Sequence, residues 1–190
     1  MGGWFDSELT GLGRRQAKAL GTHLRSRLQV GDRSPQLFSS DLTRARETAD
    51  HIAQAIGSDV RLRQELRASC GGVADGESKS WLQANAQPLP ERGDVLHYKC
   101  ASGAESVYEV SERVYPFVAD LTLRSAEDVV VVTHGGTHDL VVAAWLGIPR
   151  DALGRYSFCT APGGVTELGV RDDSGVRVLV TLNDTRHLHD

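Results

Sequence analysis

From Thr10 to Leu28 apolar residues recur with helical spacing. Leu12, Leu20, Leu24 and Leu28 stand at multiples of four with Ala17 beside them, while Arg14, Arg15, Lys18 and Arg25 take the water-facing side. Gly31 and Pro35 break this run, and Leu37-Phe38-Ser39-Ser40 reads as the end of a short buried strand. A second helix is predicted from about Asp41 to Ile56, with Ala45, Ala49, Ile52 and Ile56 inward and Gly57 as its stop. Val60-Arg61-Leu62 reads as another short strand.

From Gln64 to Gly103 the periodicity fades into glycine, proline and polar residues, with Trp81-Leu82 as an apolar anchor. So long a stretch predicts a functional insertion covering a pocket. Ser102-x-x-Glu105 then has the form of a capping box, opening a helix that buries Val107, Val110, Val114, Val118 and Leu121. Pro116 should kink or restart it. Asp128-Val129-Val130-Val131-Val132-Thr133 is β-branched on both faces, as a buried parallel strand requires. A helix from Thr137 to Leu146 follows, ended by Gly147 and Pro149. Tyr156–Cys159, Val165–Val170 and Val176–Leu182 read as strands, turned by Gly163-Gly164 and Asp172-Asp173-Ser174-Gly175. The alternation predicts an α/β fold: one domain over 1–190, a mostly parallel sheet with helices on both faces, and 64–103 as the insertion.

Composition narrows the function classes. Apolar residues at 40% and charged residues at 24% describe a water-facing globular domain. A formal net charge of −4 argues against a nucleic-acid partner, which calls for a basic face. No run approaches the roughly 20 apolar residues of a membrane span. Cys70, Cys100 and Cys159 are odd in number and widely spaced, without metal-type pairing or a disulfide framework, so a cytoplasmic location is expected.

Two segments carry candidate chemistry. In Phe38-Ser39-Ser40-Asp41-Leu42-Thr43-Arg44 a strand ends in small polar residues and a helix opens with an arginine in its first turn. A guanidinium beside a helix N-terminus favours an anion. The plainer alternative is that Arg44 and Arg46 are surface arginines paired with Asp41 or Glu47. In Val130-Val131-Val132-Thr133-His134-Gly135-Gly136 a histidine stands at the C-terminal end of a strand, where open α/β sheets bind ligands, and the glycines admit close backbone approach. A structural histidine at a strand end is the alternative. His134 and His138 have metal-ligand spacing, but Gly135 stands where the zinc-protease motif has glutamate, so no metal is expected. Trp4 and Trp81 are expected at the pocket mouth and Trp145 in the core, with His187, His189 and Asp190 as a solvated tail.

Taken in order, Leu9-Thr10-x-x-Gly13-x-x-Gln16-Ala17, Ser39-Ser40-Asp41-Leu42-x-Arg44-Ala45-x-x-Thr48-Ala49 and Thr133-His134-Gly135-Gly136 resemble the histidine phosphatase (phosphoglycerate-mutase-like) family. Leu182-Asn183-Asp184-Thr185-x-His187-Leu188 looks like the tail of many bacterial members. The resemblance implies a two-step phosphoryl transfer through a phosphohistidine, without metal or cofactor, on a small phosphorylated substrate. It leaves a homodimer open. Arg44 matches the family's phosphate-binding arginine, and His134 matches the second, non-nucleophilic histidine. With Gly135, they are the residues expected to hold phosphoryl oxygens.

Two departures follow from the same resemblance. The family's nucleophile sits in an Arg-His-Gly motif ending a first, central strand, upstream of the segment matching Trp4–Ala17. None of the seven histidines lies in such a motif. The expectation is a chain lacking that strand and nucleophile, inactive as given, with a misassigned start as the origin rather than evolutionary loss. The family's acid after Leu-Arg is replaced by Ala68, and Glu65, Asp75 and Glu77 are candidate substitutes. The short chain favours a phosphomonoester hydrolase over a mutase. The rival reading is a pseudophosphatase that binds a phosphorylated ligand.

Overall fold

The computed structural model describes residues 2–28, 35–90, 95–124 and 128–189; the break expected at Gly31 and the tail residue Asp190 lie outside them. Helix α1 spans Gly11–Arg27, and Thr10 caps it by accepting the Gly13 amide. Strand β1 is Gln36–Ser39, α2 is Thr43–Ile56 and β2 is Val60–Leu62. Short 3-10 turns at Gln64–Leu66 and Gly72–Ala74 lead to α3, Lys79–Asn85. Helix α4 is Val107–Arg124, β3 is Val129–Val132 and α5 is Gly135–Leu146. A 3-10 segment, Arg150–Arg155, precedes the hairpin β4, Val165–Val170, and β5, Arg177–Asp184.

The three short strands form a parallel sheet in the order β2-β1-β3, with Leu37 opposite Val60 and Val130. Alternation along β1 sends neighbouring side chains to opposite faces. Leu37 packs with Leu20 of α1 and Ile52 and Ile56 of α2. Phe38 packs with Val114 and Phe117 of α4 and Leu140 and Ala143 of α5. Helices therefore cover both faces, as the alternation of elements predicts. The inward face of α2 is the expected one, and Gly57 ends it in the left-handed conformation at φ 70°.

Several expectations need correction. Leu12 is exposed while Ala17, Leu20 and Gly21 meet α2. Residues at multiples of four drift about 40° per step around a helix, so Leu12 turns away from the buried stripe. The helix start is not Ser102-x-x-Glu105. Ala104 bridges Gly71 and the Glu105 amide donates to the Cys70 carbonyl at 2.9 Å, which holds this stretch extended. The reciprocal cap is Ser106 with Glu109: the Ser106 amide donates to Glu109 Oε2 at 2.8 Å and the Glu109 amide to Ser106 Oγ at 3.3 Å. Helix α4 runs on through Pro116 without restarting. Tyr156–Cys159 is not a strand, because the Asp139 carboxylate captures Ser157 Oγ and the Phe158 amide. His187 is buried and stacks on His23 with centroids 4.7 Å apart, so it is no solvated tail.

The valines of β3 are only half-buried, although their sequence suits a strand enclosed on every side. Among the described residues β3 pairs with β1 alone, and β4 with β5 alone. Val165 of β4 packs on the same apolar cluster as Val130 and Val132. The hairpin thus shares the core without joining the three-stranded ladder.

Candidate active site

The C-terminal ends of β1 and β3 lie side by side. The Ser40 amide donates to the Val132 carbonyl at 3.0 Å, extending the ladder by one bond. Ser40 is fully buried, and its Oγ lies 2.9 Å from His134 Nε2. His134 occupies the cap position of α5 in an extended conformation, and its carbonyl accepts the His138 amide at 2.7 Å. The helix begins at the glycine pair, two residues before the expected Thr137. The first amides of a helix have no partner within it. A Cβ at Gly136 would meet nothing within 4 Å beyond its chain neighbours and its own helix backbone, so the turn opens onto free space. That is where a helix N-terminus can receive an anion.

Arg44 enters this edge from the first turn of α2. It makes neither of the carboxylate pairings considered for it: Asp41 pairs with Arg67, and Glu47 with Arg14. Its Nη1 donates to the Phe5 carbonyl at 2.9 Å and its Nη2 to the Gly3 carbonyl at 2.8 Å. Asp6 accepts the Thr43 amide at 2.7 Å and Thr43 Oγ1 at 2.8 Å. Residues 2–6 therefore wrap the start of α2, and Asp6 takes up the helix end that sequence reasoning had offered to a ligand. Those hydrogen bonds from Thr43 hold the Asp6 carboxyl below its usual range. Burial lowers the pKa of Arg44 against the pull of Asp6 and Asp75.

The segment Leu66–Ala68 closes the third side. Thr133 Oγ1 donates to the Leu66 carbonyl at 2.8 Å, and Thr137 Oγ1 to the Arg67 carbonyl at 2.7 Å. These latches stand on either side of His134 in the chain. Arg67 forks onto Asp41 at 2.7 and 2.6 Å, and its guanidinium lies 4.9 Å above the Trp4 ring. Trp4 Nε1 donates to the Ala68 carbonyl at 2.8 Å. Arg113 of α4 supports this segment from below, donating to the carbonyls of Glu65, Arg67 and Ala68 at 2.6–3.0 Å and to the Glu105 carboxylate.

Electrostatics at this edge are cationic. Burial, first, and then Arg44 and Arg113 push the His134 imidazole down to about 4, opposed by Asp41. The histidine is therefore neutral near pH 7 and can accept a proton when an anion arrives. Arg67 in turn holds the Asp41 carboxyl below its usual range.

The structure thus gathers Arg44, His134 and Gly135 at one sheet edge. It leaves His138 apart: its Nε2 lies 2.9 Å from Thr166 Oγ1 on β4. No group of three or more His, Cys, Asp or Glu residues able to hold a metal occurs among the described residues. Trp4 reaches the site. Trp81 is half-buried on α3, and Trp145 is half-buried on α5 with Arg177 stacked at 5.3 Å. Of the acids considered beside Ala68, Asp75 is the one that acts electrostatically on Arg44, and a Cβ on Gly3 would lie 1.5 Å from its Oδ1. Sequence reasoning missed Asp6, Arg67, Arg113 and Thr137. Only Arg67 carried a signal, as the residue before Ala68.

A family model described as histidine phosphatase superfamily (branch 1) matches residues 1–185. The chain belongs to this superfamily. A glucosyl-3-phosphoglycerate phosphatase of Mycobacterium tuberculosis is 35% identical to this histidine phosphatase superfamily chain over 161 residues, covering 78% of it and 69% of the relative. A probable phosphoglycerate mutase, GpmB, of Salmonella paratyphi A is 32% identical over 161 residues, covering 77% and 67%. Among solved structures, a mycobacterial glucosyl-3-phosphoglycerate phosphatase in complex with inorganic phosphate superposes with a TM-score of 0.78 at 26% identity, over 98% of this chain and 92% of that one. The superfamily fold, α/β with a parallel sheet in a single domain, is the fold seen here. No helix among the described residues is long and apolar enough to cross a membrane.

Proposed function

We propose that this chain forms most of a phosphomonoester hydrolase domain in which Arg44, His134 and the amides at the start of α5 bind the transferring phosphoryl group. The observation that carries this reading is the convergence of Arg44 and a neutral His134 on one sheet edge beside an open helix N-terminus. As charge develops on the equatorial oxygens, Arg44 and a newly protonated His134 stabilise it, while Ser40 orients the imidazole. The phosphatase relatives support hydrolysis as the outcome, and the substrate is a small phosphorylated molecule.

These 190 residues contain no Arg-His-Gly, so this reading requires a phosphate-accepting histidine supplied by a further segment. Two features support this. The edges of β3 and β4 are both unpaired among the described residues, leaving a place for a strand between them. Gly2 lies close to Arg44, since a Cβ on it would be 3.7 Å from Nη2. A strand parallel to β3 that led into Gly2 would deliver its last residues beside Arg44 and His134. The reading of 64–103 as a pocket-covering insertion is supported by Gln64, Glu65 and Arg67 lining a cavity and by Asp75 beside Gly3.

The experiment compares two chains with p-nitrophenyl phosphate. The 190-residue chain is expected to bind inorganic phosphate without turnover. A chain extended by an apolar strand and Arg-His-Gly is expected to turn over, and to lose activity when the added histidine becomes alanine. Turnover by the 190-residue chain, lost on His134→Ala, would overturn the assignment. A second reading, phospholigand binding without catalysis, is favoured by Ala68 at the position of the family's acid. It predicts phosphate binding by both chains and turnover by neither.

A further inference from the structure

Beside the phosphate edge lies a cavity of about 560 Å³ lined by Trp4, Leu62, Arg63, Gln64, Glu65, Arg67, Glu105 and Arg113. Its volume falls in the range of small-molecule sites. It shares the Leu66–Ala68 wall with His134, because Thr133 and Thr137 latch that wall from the histidine's own strand and helix. Trp4, which lines the cavity, stands in the chain between Gly3 and Phe5, whose carbonyls hold Arg44.

The chemistry of the lining is balanced. Arg67 is spent on Asp41, and Arg113 on Glu105 and three carbonyls. Arg63 lies over the Phe38 ring at 5.4 Å and donates to the Leu62 carbonyl, which leaves Gln64 and Glu65 as the lining side chains not engaged in this way. Arg63 and Glu65 offset one another in charge, and Gln64 and Glu65 offer a donor and acceptors in the lining. The opposite character comes from Leu62 and the Trp4 indole. That ring is fixed by its bond to the Ala68 carbonyl and by the Arg67 guanidinium above it, yet remains 39% exposed. An aromatic side chain and mixed donors and acceptors in one lining suit a ring with apolar C–H faces and polar edges. A carboxylate would find its natural partners, Arg67 and Arg113, already neutralised.

We propose that this cavity is the leaving-group subsite, and that it takes a neutral, hydroxyl-rich ring such as a sugar rather than a carboxylate. This rests on the phosphomonoester reading above. Calorimetric titration of the 190-residue chain with inorganic phosphate, 3-phosphoglycerate and a hexose 1-phosphate tests it. The hexose phosphate is expected to bind about tenfold more tightly than phosphate, and 3-phosphoglycerate no more tightly than phosphate. In Trp4→Leu and, separately, Glu65→Ala, the ratio of hexose-phosphate to phosphate affinity is expected to fall to about one.

A preference for 3-phosphoglycerate, equal affinities in the unsubstituted chain, or a ratio that survives in both variants overturns the proposal. Should phosphate fail to bind while the hexose phosphate still binds in a Glu65-dependent manner, the phosphate reading and the leaving-group role fall, and the cavity is a sugar site alone. Binding of neither ligand removes both.

Discussion

The His134 imidazole lies 2.9 Å from the hydroxyl of Ser40, so the ends of β3 and β1 meet through one side-chain hydrogen bond inside a cationic, mostly buried corner. The bond orients the ring, and the corner keeps it neutral. Both properties are measurable.

His134 has a folded-state pKa of about 4 against an ordinary value of 6.5. Between these values the unfolded chain binds more protons than the folded one. Stability therefore falls as the pH drops from 6.5 towards 4 and is insensitive to this group above 6.5. The full effect is about 3 kcal/mol. Urea unfolding across this window should show the slope in the parent chain and its loss in His134→Gln.

Saturating phosphate places negative charge beside the same ring. The His134 midpoint, followed by NMR of the imidazole, should rise well above 4 on phosphate addition. An unchanged midpoint would mean that the anion binds elsewhere.

Arg44 holds two carbonyls of residues 2–6 and is the cation proposed to bind phosphate. Arg44→Ala should weaken phosphate binding by about 1.5–3 kcal/mol and release the N-terminal residues to proteolysis. Arg44→Lys retains the charge but not the fork, so it should recover only part of the affinity.

Gly3 stands at φ +44°, and a Cβ there would fall 1.5 Å from Asp75 Oδ1. Gly3→Ala should cost about 1–3 kcal/mol from overlap and backbone strain together. Adding Asp75→Ala should return the overlap part and leave the strain, which a double-mutant cycle in urea resolves.

Arg113 satisfies the Glu65, Arg67 and Ala68 carbonyls as well as Glu105. Arg113→Met should destabilise the chain by about 3 kcal/mol or more, because it strands a carboxylate and several carbonyls at once. Glu105→Gln should cost less, since an amide still accepts from the guanidinium.

By itself the sequence determined the α/β class, the order of most elements and the inward face of α2, and it singled out Arg44, His134 and Gly135, which the fold brings to one sheet edge. These are legible because helix and strand periods are local properties, and because short motifs sit at strand ends where the fold presents ligands. It did not reveal that Glu105 pairs with Arg113 rather than capping a helix, that Asp139 holds Ser157–Phe158 out of a strand, or that His187 is buried against His23. Nor did it show that Asp75 acts on Arg44, or that Arg67 and Trp4 wall a cavity. Each of those outcomes depends on partners distant in the chain. Which donor meets which acceptor is decided only when packing brings the elements together, and there a long-range carboxylate or guanidinium overrides the local pattern.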